Sequence, residues 1–199
     1  GRCTPYEKAF VARDGHPVPV LVGASALEMS PQGEPLVAMF VTDLTALKQS
    51  EADLAEERAL LKAIFDNAPE GIIVADAQAR LLMTNAAADR LYARPVPYGQ
   101  DWSSHATLQL CYPDGRLYDP RDLPLTRSAL DGETLTGLEM GIIWPDGQQR
   151  NLLINTAPVR DDAGRMTGAV GVFQDITARK REQEERTQLL QEVKKHAEA

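Results

Sequence analysis

The sequence predicts an α+β fold, in which a five-stranded antiparallel sheet and its short helices are flanked by two long linker helices and preceded by a separate three-strand segment. Three observations lead there. The first is a junction that occurs twice: VFQDITARKREQEE from Val172 and FVTDLTALKQSEAD from Phe40 each run an apolar strand through Asp-x-Thr into a charged stretch without a glycine or proline between. The second is that the two junctions belong to a longer repeat. An offset of about 132 positions aligns ARDGHPVPVLVGASALEMSPQGEPLVAMFVTDLTALKQSE with WPDGQQRNLLINTAPVRDDAGRMTGAVGVFQDITARKREQ, with only the turn glycines Gly33 and Gly164 out of register. Such self-similarity marks duplicated domains. The third is turn chemistry, since Asp14-Gly15 and Asp146-Gly147 each stand between apolar runs, the favoured composition of a tight antiparallel hairpin.

The elements follow in order. Residues 1–45 hold three strands, the last ending at Asp43-Leu44-Thr45. Residues 46–66, ALKQSEADLAEERALLKAIFD, form a connecting helix with Leu47, Leu54 and Leu61 at heptad spacing but polar Ser50 and Glu57 between them, which reads either as a weakly encoded coiled coil or as a single amphipathic helix lying on the next domain's sheet. Residues 67–177 form the complete domain. GIIVAD and RLLMTN are strands joined through Ala77-Gln78-Ala79, and Asn85 is placed to cap NAAADRLYA as a short helix. DLPLTRSALDG reads as a second helix, with Asp122 as N-cap and Gly132 as terminator. Three strands, GLEMGIIW, RNLLINTAPV and TGAVGVFQ, close the domain through turns at Asp146-Gly147 and DDAG. Residues 178–199 make the outgoing helix, charged first and carrying Leu189, Leu190 and Val193 later.

Composition excludes several functions. A net charge of −8 argues against nucleic-acid binding, which needs a concentrated basic surface. The one basic run, Arg179-Lys180-Arg181, is followed at once by Glu182, Glu184 and Glu185 and reads as a solvated helix face. Cys3 and Cys111 lack metal or redox spacing, which fits a reducing, cytoplasmic setting. No apolar run reaches membrane-spanning length and no signal-peptide core is visible. There is no phosphate loop, no nucleophile elbow and no metal-site cluster, so no enzyme is expected from these residues.

The residues that carry chemistry therefore lie in the repeat, and they resemble a PAS domain, the sensory module of bacterial signalling proteins. The resemblance rests on EGIIVADAQARLLMTNAAADRLY, GRLYDPRDLPLTRSALDGE and WPDGQQRNLLINTAPVRDDAGRMTGAVGVFQDITARK, covering roughly residues 66–178. The C-terminal half of a preceding PAS domain occupies about residues 6–46. The family fold is a five-stranded antiparallel sheet curved around helices on one face, enclosing a small pocket, with the other face packed on flanking helices or a dimer mate. Its Asp-Ile-Thr turn, the PAC motif's end, passes changes in the sheet to the next helix. Carried over, that signal-relay role falls on Asp43 and Thr45, and on Asp175 and Thr177. Counting by twos from the family's inward positions nominates Ile73, Ala75, Leu81, Met83, Ile154, Thr156 and Phe173 as the candidate ligand pocket, with Ile72, Val74, Val170 and Val172 facing outward.

What the resemblance implies is a sensory and relay region, most readily of a two-component sensor histidine kinase that feeds a phosphorelay. The other reading is a ligand-free dimerisation or scaffold module ahead of a diguanylate cyclase or transcription regulator. Expected partners are a second copy, through the linker helices and the sheet face, and a response regulator for the parent protein; nucleic acid and membrane are not expected. No cofactor is expected. Cys111 in LQLCYPDG lacks the neighbours of a flavin-adduct cysteine, and His105 in DWSSHATL reads as a surface or hydrogen-bonding residue rather than a haem ligand. An unidentified small-molecule ligand is compatible with the pocket. His196, in KKHAEA, lacks the phosphoacceptor context and carries no phosphotransfer role.

Overall fold

The computed structural model describes residues 4–29 and 35–197. Cys3 and the turn glycine Gly33 lie outside the described residues. The chain divides into two compact units, residues 1–62 and 63–199.

In the first unit, β1 (Tyr6–Val11), β2 (Pro17–Met29) and β3 (Pro35–Asp43) form an antiparallel sheet in that order, and α1 (Thr45–Asn67) leaves directly from β3. The β1–β2 hairpin turns at Asp14-Gly15, where Gly15 has φ +90°, a conformation that costs glycine no steric penalty. Val20 and Val22 are buried, whereas Val37, Met39 and Val41 on β3 are 45–66% exposed. No residue of α1 is buried.

The second unit begins with the end of α1 and continues through β4 (Gly71–Asp76), β5 (Leu81–Thr84), α2 (Ala86–Tyr92), a 3-10 helix at Trp102–Leu108, the two-residue β6 (Leu110–Cys111), a 3-10 turn at Pro120–Asp122 and α3 (Pro124–Asp131). The long strands β7 (Leu135–Ile143), β8 (Gln149–Arg160) and β9 (Met166–Asp175) follow, and α4 (Thr177–Ala197) ends the described chain. The strand order is β5-β4-β9-β8-β7-β6, so the five expected strands are joined at one edge by the short β6. β9 lies inside the sheet between β4 and β8, and the strand that feeds the outgoing helix therefore pairs on both sides.

The repeat survives in three dimensions, residue for residue. Leu21 pairs with Thr42 and Val22 with Val41, while Leu153 pairs with Gln174 and Ile154 with Phe173, all 132 positions apart. The difference lies in what covers them. Phe173 and Ala169 are 2% and 0% exposed because α2 and α3 lie over that face, whereas Val41 and Val37 at the matching positions are 45% and 62% exposed.

The inner face of the six-stranded sheet packs against α2, α3 and the first 3-10 helix. Ile73, Leu81, Leu108, Met140, Ile142 and Leu152 are each 2% exposed or less, and full burial of such a side chain stabilises by about 1.5–3 kcal/mol. Phe173 tilts against Tyr92 at 5.6 Å between ring centroids. Gly71 makes the room for that ring, since a Cβ there would stand 2.3 Å from it. The helix expected from Asp122 begins two residues later. Asp119, not Asp122, caps the preceding 3-10 turn by accepting the Arg121 amide, and α3 starts on Pro124, whose fixed φ suits a first helical position. Gly132, at φ +72°, ends it as expected.

Candidate functional site

The junction between β9 and α4 is fixed by three hydrogen bonds and one charge contact confined to a few residues. The Thr177 amide donates to Asp175 Oδ1 at 2.8 Å, which satisfies one of the orphan donors at the start of α4. The Thr177 hydroxyl oxygen accepts the Asn151 amide of β8 at 2.8 Å, and the Ile176 amide donates to the Asn151 carbonyl at 2.8 Å. Ile176 and Thr177 are 2% and 4% exposed. Asp175 Oδ2 lies 3.7 Å from the Arg150 guanidinium, close enough for charge attraction but too long for a hydrogen bond.

Arg150 in turn stacks on the Trp144 ring, with Cζ 4.0 Å from its centroid. The Trp144 indole N–H donates to the Leu91 carbonyl at 2.9 Å, next to the core residue Tyr92 of α2. A continuous set of contacts thus runs from the helix that covers the core, through Trp144 and Arg150, to the residue that caps α4. On the β4–β5 side of the sheet Asn85 does more than cap. Its side-chain oxygen accepts the Ala88 and Ile72 amides, each at 2.9 Å, and its NH2 donates to the Phe65 carbonyl of α1 at 3.1 Å and to the Glu70 carbonyl at 2.9 Å. The incoming helix, β4 and α2 meet on that one buried amide.

The first unit carries a simpler junction. The Thr45 amide donates to Asp43 Oδ1 at 2.7 Å, and hydrogen bonding from Thr45, through its side chain first and then its amide, holds the exposed Asp43 carboxyl below its usual range. The Leu44 amide donates to the Pro19 carbonyl at 2.8 Å. Pro19 replaces Asn151 and has no N–H, so it offers the Thr45 hydroxyl no counterpart of the Asn151–Thr177 bond.

Between the sheet and its helices lies a cavity of about 30 Å³, room for one or two water molecules. Ile73, Leu81, Ile154 and Phe173, four of the nominated residues, line it together with Tyr92, His105 and Met140. Ala75 and Thr156 are buried as well, but beside the cavity. The Thr156 hydroxyl is bonded to Ser128 at 2.7 Å and to the Pro124 carbonyl at 3.3 Å.

Two expectations need correction. Met83 does not face inward; it is 50% exposed. Val74 pairs with Met83 but Ala75 pairs with Leu81, so Leu82 is an extra residue in β5. This bulge shifts the alternation by one and turns Met83 to the outer face beside Val74. His105, expected as a surface or hydrogen-bonding residue, is not at the surface: it is 2% exposed on the cavity wall. Its Nδ1 is 3.5 Å from the Thr126 hydroxyl, at the limit of hydrogen bonding, and its Nε2 has no partner. Burial pushes its pKa down to about 4, although Asp101 opposes the shift, so the ring is neutral near pH 7.

Among the described residues no group of three or more His, Cys, Asp or Glu comes together to hold a metal ion. Burial raises the pKa of the Cys111 thiol, which opposes formation of the reactive thiolate. No described helix is long and apolar enough to cross a membrane.

Sequence reasoning found the Asp and Thr of both junctions. It missed Asn151, Arg150 and Trp144, whose contribution depends on pairing across the sheet, and it read Asn85 as a local cap alone. Glu139 of β7, which accepts a hydrogen bond from Lys180 of α4, was missed too. The repeat was the available signal for this pair, because Glu7 and Lys48 stand at the same offset.

The signal transduction histidine-protein kinase AtoS of Escherichia coli (strain K12) is 29% identical over 132 residues, 65% of this chain, and the chain spans 20% of that kinase's length. Among solved structures, a PAS domain from Colwellia psychrerythraea is 22% identical, covering 63% of this chain and 98% of its own, with a TM-score of 0.45. The PAS domain of an HTR-like protein from Haloarcula marismortui is 18% identical, covering 65% of this chain and 99% of its own, with a TM-score of 0.47. The family model described as PAS fold matches residues 65–181, the span from the end of α1 across the sheet to the first turn of α4. With the sheet order, the covered inner face and the Asp-Ile-Thr junction in place, the chain belongs to the PAS fold family.

Proposed function

We propose that this chain is the sensory and relay region of a two-component sensor histidine kinase, in which a change in the sheet reaches α4 through Asp175 and Thr177. The observation that carries this reading is the double attachment of the junction. Asp175 caps the helix while Thr177 receives the neighbouring strand's amide, so a movement of β9 relative to β8 cannot leave the start of α4 where it was. The similarity to a histidine kinase over 132 residues supports a kinase as the parent. Such a parent would pass phosphate to a response regulator, and its dimer would form through the linker helices and the outer sheet face, where Ile72, Val74, Val170 and Val172 are half-buried.

The input is a partner or a small ligand, and it acts by favouring one of two arrangements of the sheet. A ligand of more than a few atoms requires the cavity walls to move, because the present space is about 30 Å³. The test is made in the full-length parent protein, by replacing Asp175 and Thr177 with alanine and measuring autophosphorylation and its response to stimulus. The expected result is a folded protein whose kinase activity no longer follows the stimulus. Unchanged activity and unchanged regulation would overturn the relay.

A further inference from the structure

The repeat aligns more than strands and caps. Glu7 on β1 stands 132 positions before Glu139 on β7, and Lys48 in the first turn of α1 stands 132 before Lys180 in the first turn of α4. In each unit the structure joins the two residues. Lys48 Nζ lies 3.0 Å from Glu7 Oε2, and Lys180 Nζ donates to Glu139 Oε2. The surrounding frame matches as well, with Glu7 opposite Leu21 and Glu139 opposite Leu153.

Other polar ties at the two junctions have diverged. Asn151, Arg150 and Trp144 of the second copy correspond to Pro19, Val18 and Ala12 of the first. The bond between Asn151 and the Thr177 hydroxyl and the stacked arginine therefore have no counterpart there, yet the Lys–Glu pair is present in both copies. Two junctions that share few other side-chain contacts share this one.

Its position explains what it can do. The bonds at each junction, two of them at Thr177, act at the first residue of the helix and fix where it begins, but attachment at one residue leaves the axis able to swing. Lys180 lies nearly a turn further on and reaches β7, two strands away from the β9 strand that feeds the helix. A second attachment off the axis fixes a direction. We infer that Glu139 and Lys180, and likewise Glu7 and Lys48, are positioning residues that form a charge latch setting the direction in which each outgoing helix leaves its sheet. The latch is partly solvated, with Lys180 and Glu139 side chains 27% and 43% exposed, so it acts on direction far more than on stability. Its consequence for signalling rests on the relay reading, but its geometry does not.

The test uses the whole chain with Cys3→Ser, spin labels on Asp162→Cys and Gln191→Cys, and the buried Cys111 left in place. Label-to-label distances are measured for the parent protein, Glu139→Lys, Lys180→Glu and the exchanged pair Glu139→Lys with Lys180→Glu. The single reversals should broaden and shift the distance distribution, and the exchange should restore it. Hydrogen exchange of the first α4 turns should rise about two- to five-fold in the single reversals, with melting temperatures within a few degrees of the parent. Exchange at the first turn of α1 should respond in the same way to Glu7→Lys and to its exchange with Lys48→Glu. Four indistinguishable distributions, or an exchanged pair that fails to restore the narrow one, would overturn the latch. Asp175→Ala with Thr177→Ala in the same labelled protein separates the two readings. If these leave the distribution unchanged while the latch variants move it, the latch stands and the relay through the junction falls.

Discussion

The Thr177 hydroxyl oxygen accepts the Asn151 amide at 2.8 Å, so a side chain at the start of α4 takes up a main-chain donor of β8. The first unit has Pro19 at the position of Asn151 and lacks this donor altogether. Thr177→Val should therefore cost about 1–2 kcal/mol, because it leaves a partly buried amide without an acceptor, while Thr177→Ser should cost less. Asn151→Pro should cost about as much as Thr177→Val and not the full cost of a proline in a sheet interior, since the amide it removes serves Thr177. Urea denaturation of the four proteins, compared at equal m-value, decides between these outcomes.

The bulge in β5 gives opposite expectations for two nearby residues. Leu81 is 1% exposed and Met83 is 50% exposed. Leu81→Ala should destabilise by about 2–5 kcal/mol through lost burial and an enlarged cavity. Met83→Ala, and even Met83→Lys, should stay within about 0.5 kcal/mol, as for other surface substitutions. Thermal or urea unfolding checks both, and a large loss on Met83→Lys would mean that the outer face is covered in solution.

His105 predicts an acid-side loss of stability with a definite sign. Its pKa falls from 6.5 to about 4 on folding, so below pH 6.5 the unfolded chain binds a proton that the folded chain refuses. Stability that is fully present above pH 6.5 is therefore lost progressively as pH falls towards 4, by at most about 3 kcal/mol from this group. His105→Phe should flatten that part of the pH–stability profile. Unfolding free energies measured at pH 7, 6, 5 and 4.5 for both proteins give the comparison, and identical slopes would show that other groups dominate.

Asn85 joins three elements with four hydrogen bonds while being 1% exposed. Asn85→Ala should cost at least about 2 kcal/mol, because it leaves the Ala88 and Ile72 amides without their acceptor. Asn85→Ser should recover the cap on Ala88 but not the tie to α1. Hydrogen exchange at residues 63–67 separates the two effects: both variants should loosen the end of α1, but only alanine should also expose the first turn of α2.

Features set by short-range chemistry were legible in the sequence. Turn pairs such as Asp146-Gly147, terminators such as Gly132 and the Asp-x-Thr junctions act within a few residues, so residue type and spacing suffice to place them. The repeat carried further still and matched Asp43 and Thr45 to Asp175 and Thr177 along the chain. Strand parity, counted from the inward positions that the family resemblance implies, also anticipated the burial of Ile73, Ala75, Leu81, Ile154, Thr156 and Phe173. It failed at Met83, because a bulge is set by how two strands pair and leaves no mark in the alternation of either one.

Local propensity and periodicity were enough for the α+β order of elements, the duplication and the direct passage from strand to helix. Packing in three dimensions set which face Met83 takes, turned His105 into the core with an unpartnered Nε2, and left the enclosed space so small. It also decided that Trp144, Arg150 and Asn151 meet the end of β9, and that Lys180 reaches Glu139 across two strands. These relationships join residues up to 53 positions apart, as in Leu91 and Trp144. They depend on register and on the packing of helices over a sheet, and no property of a single residue or its neighbours along the chain contains either.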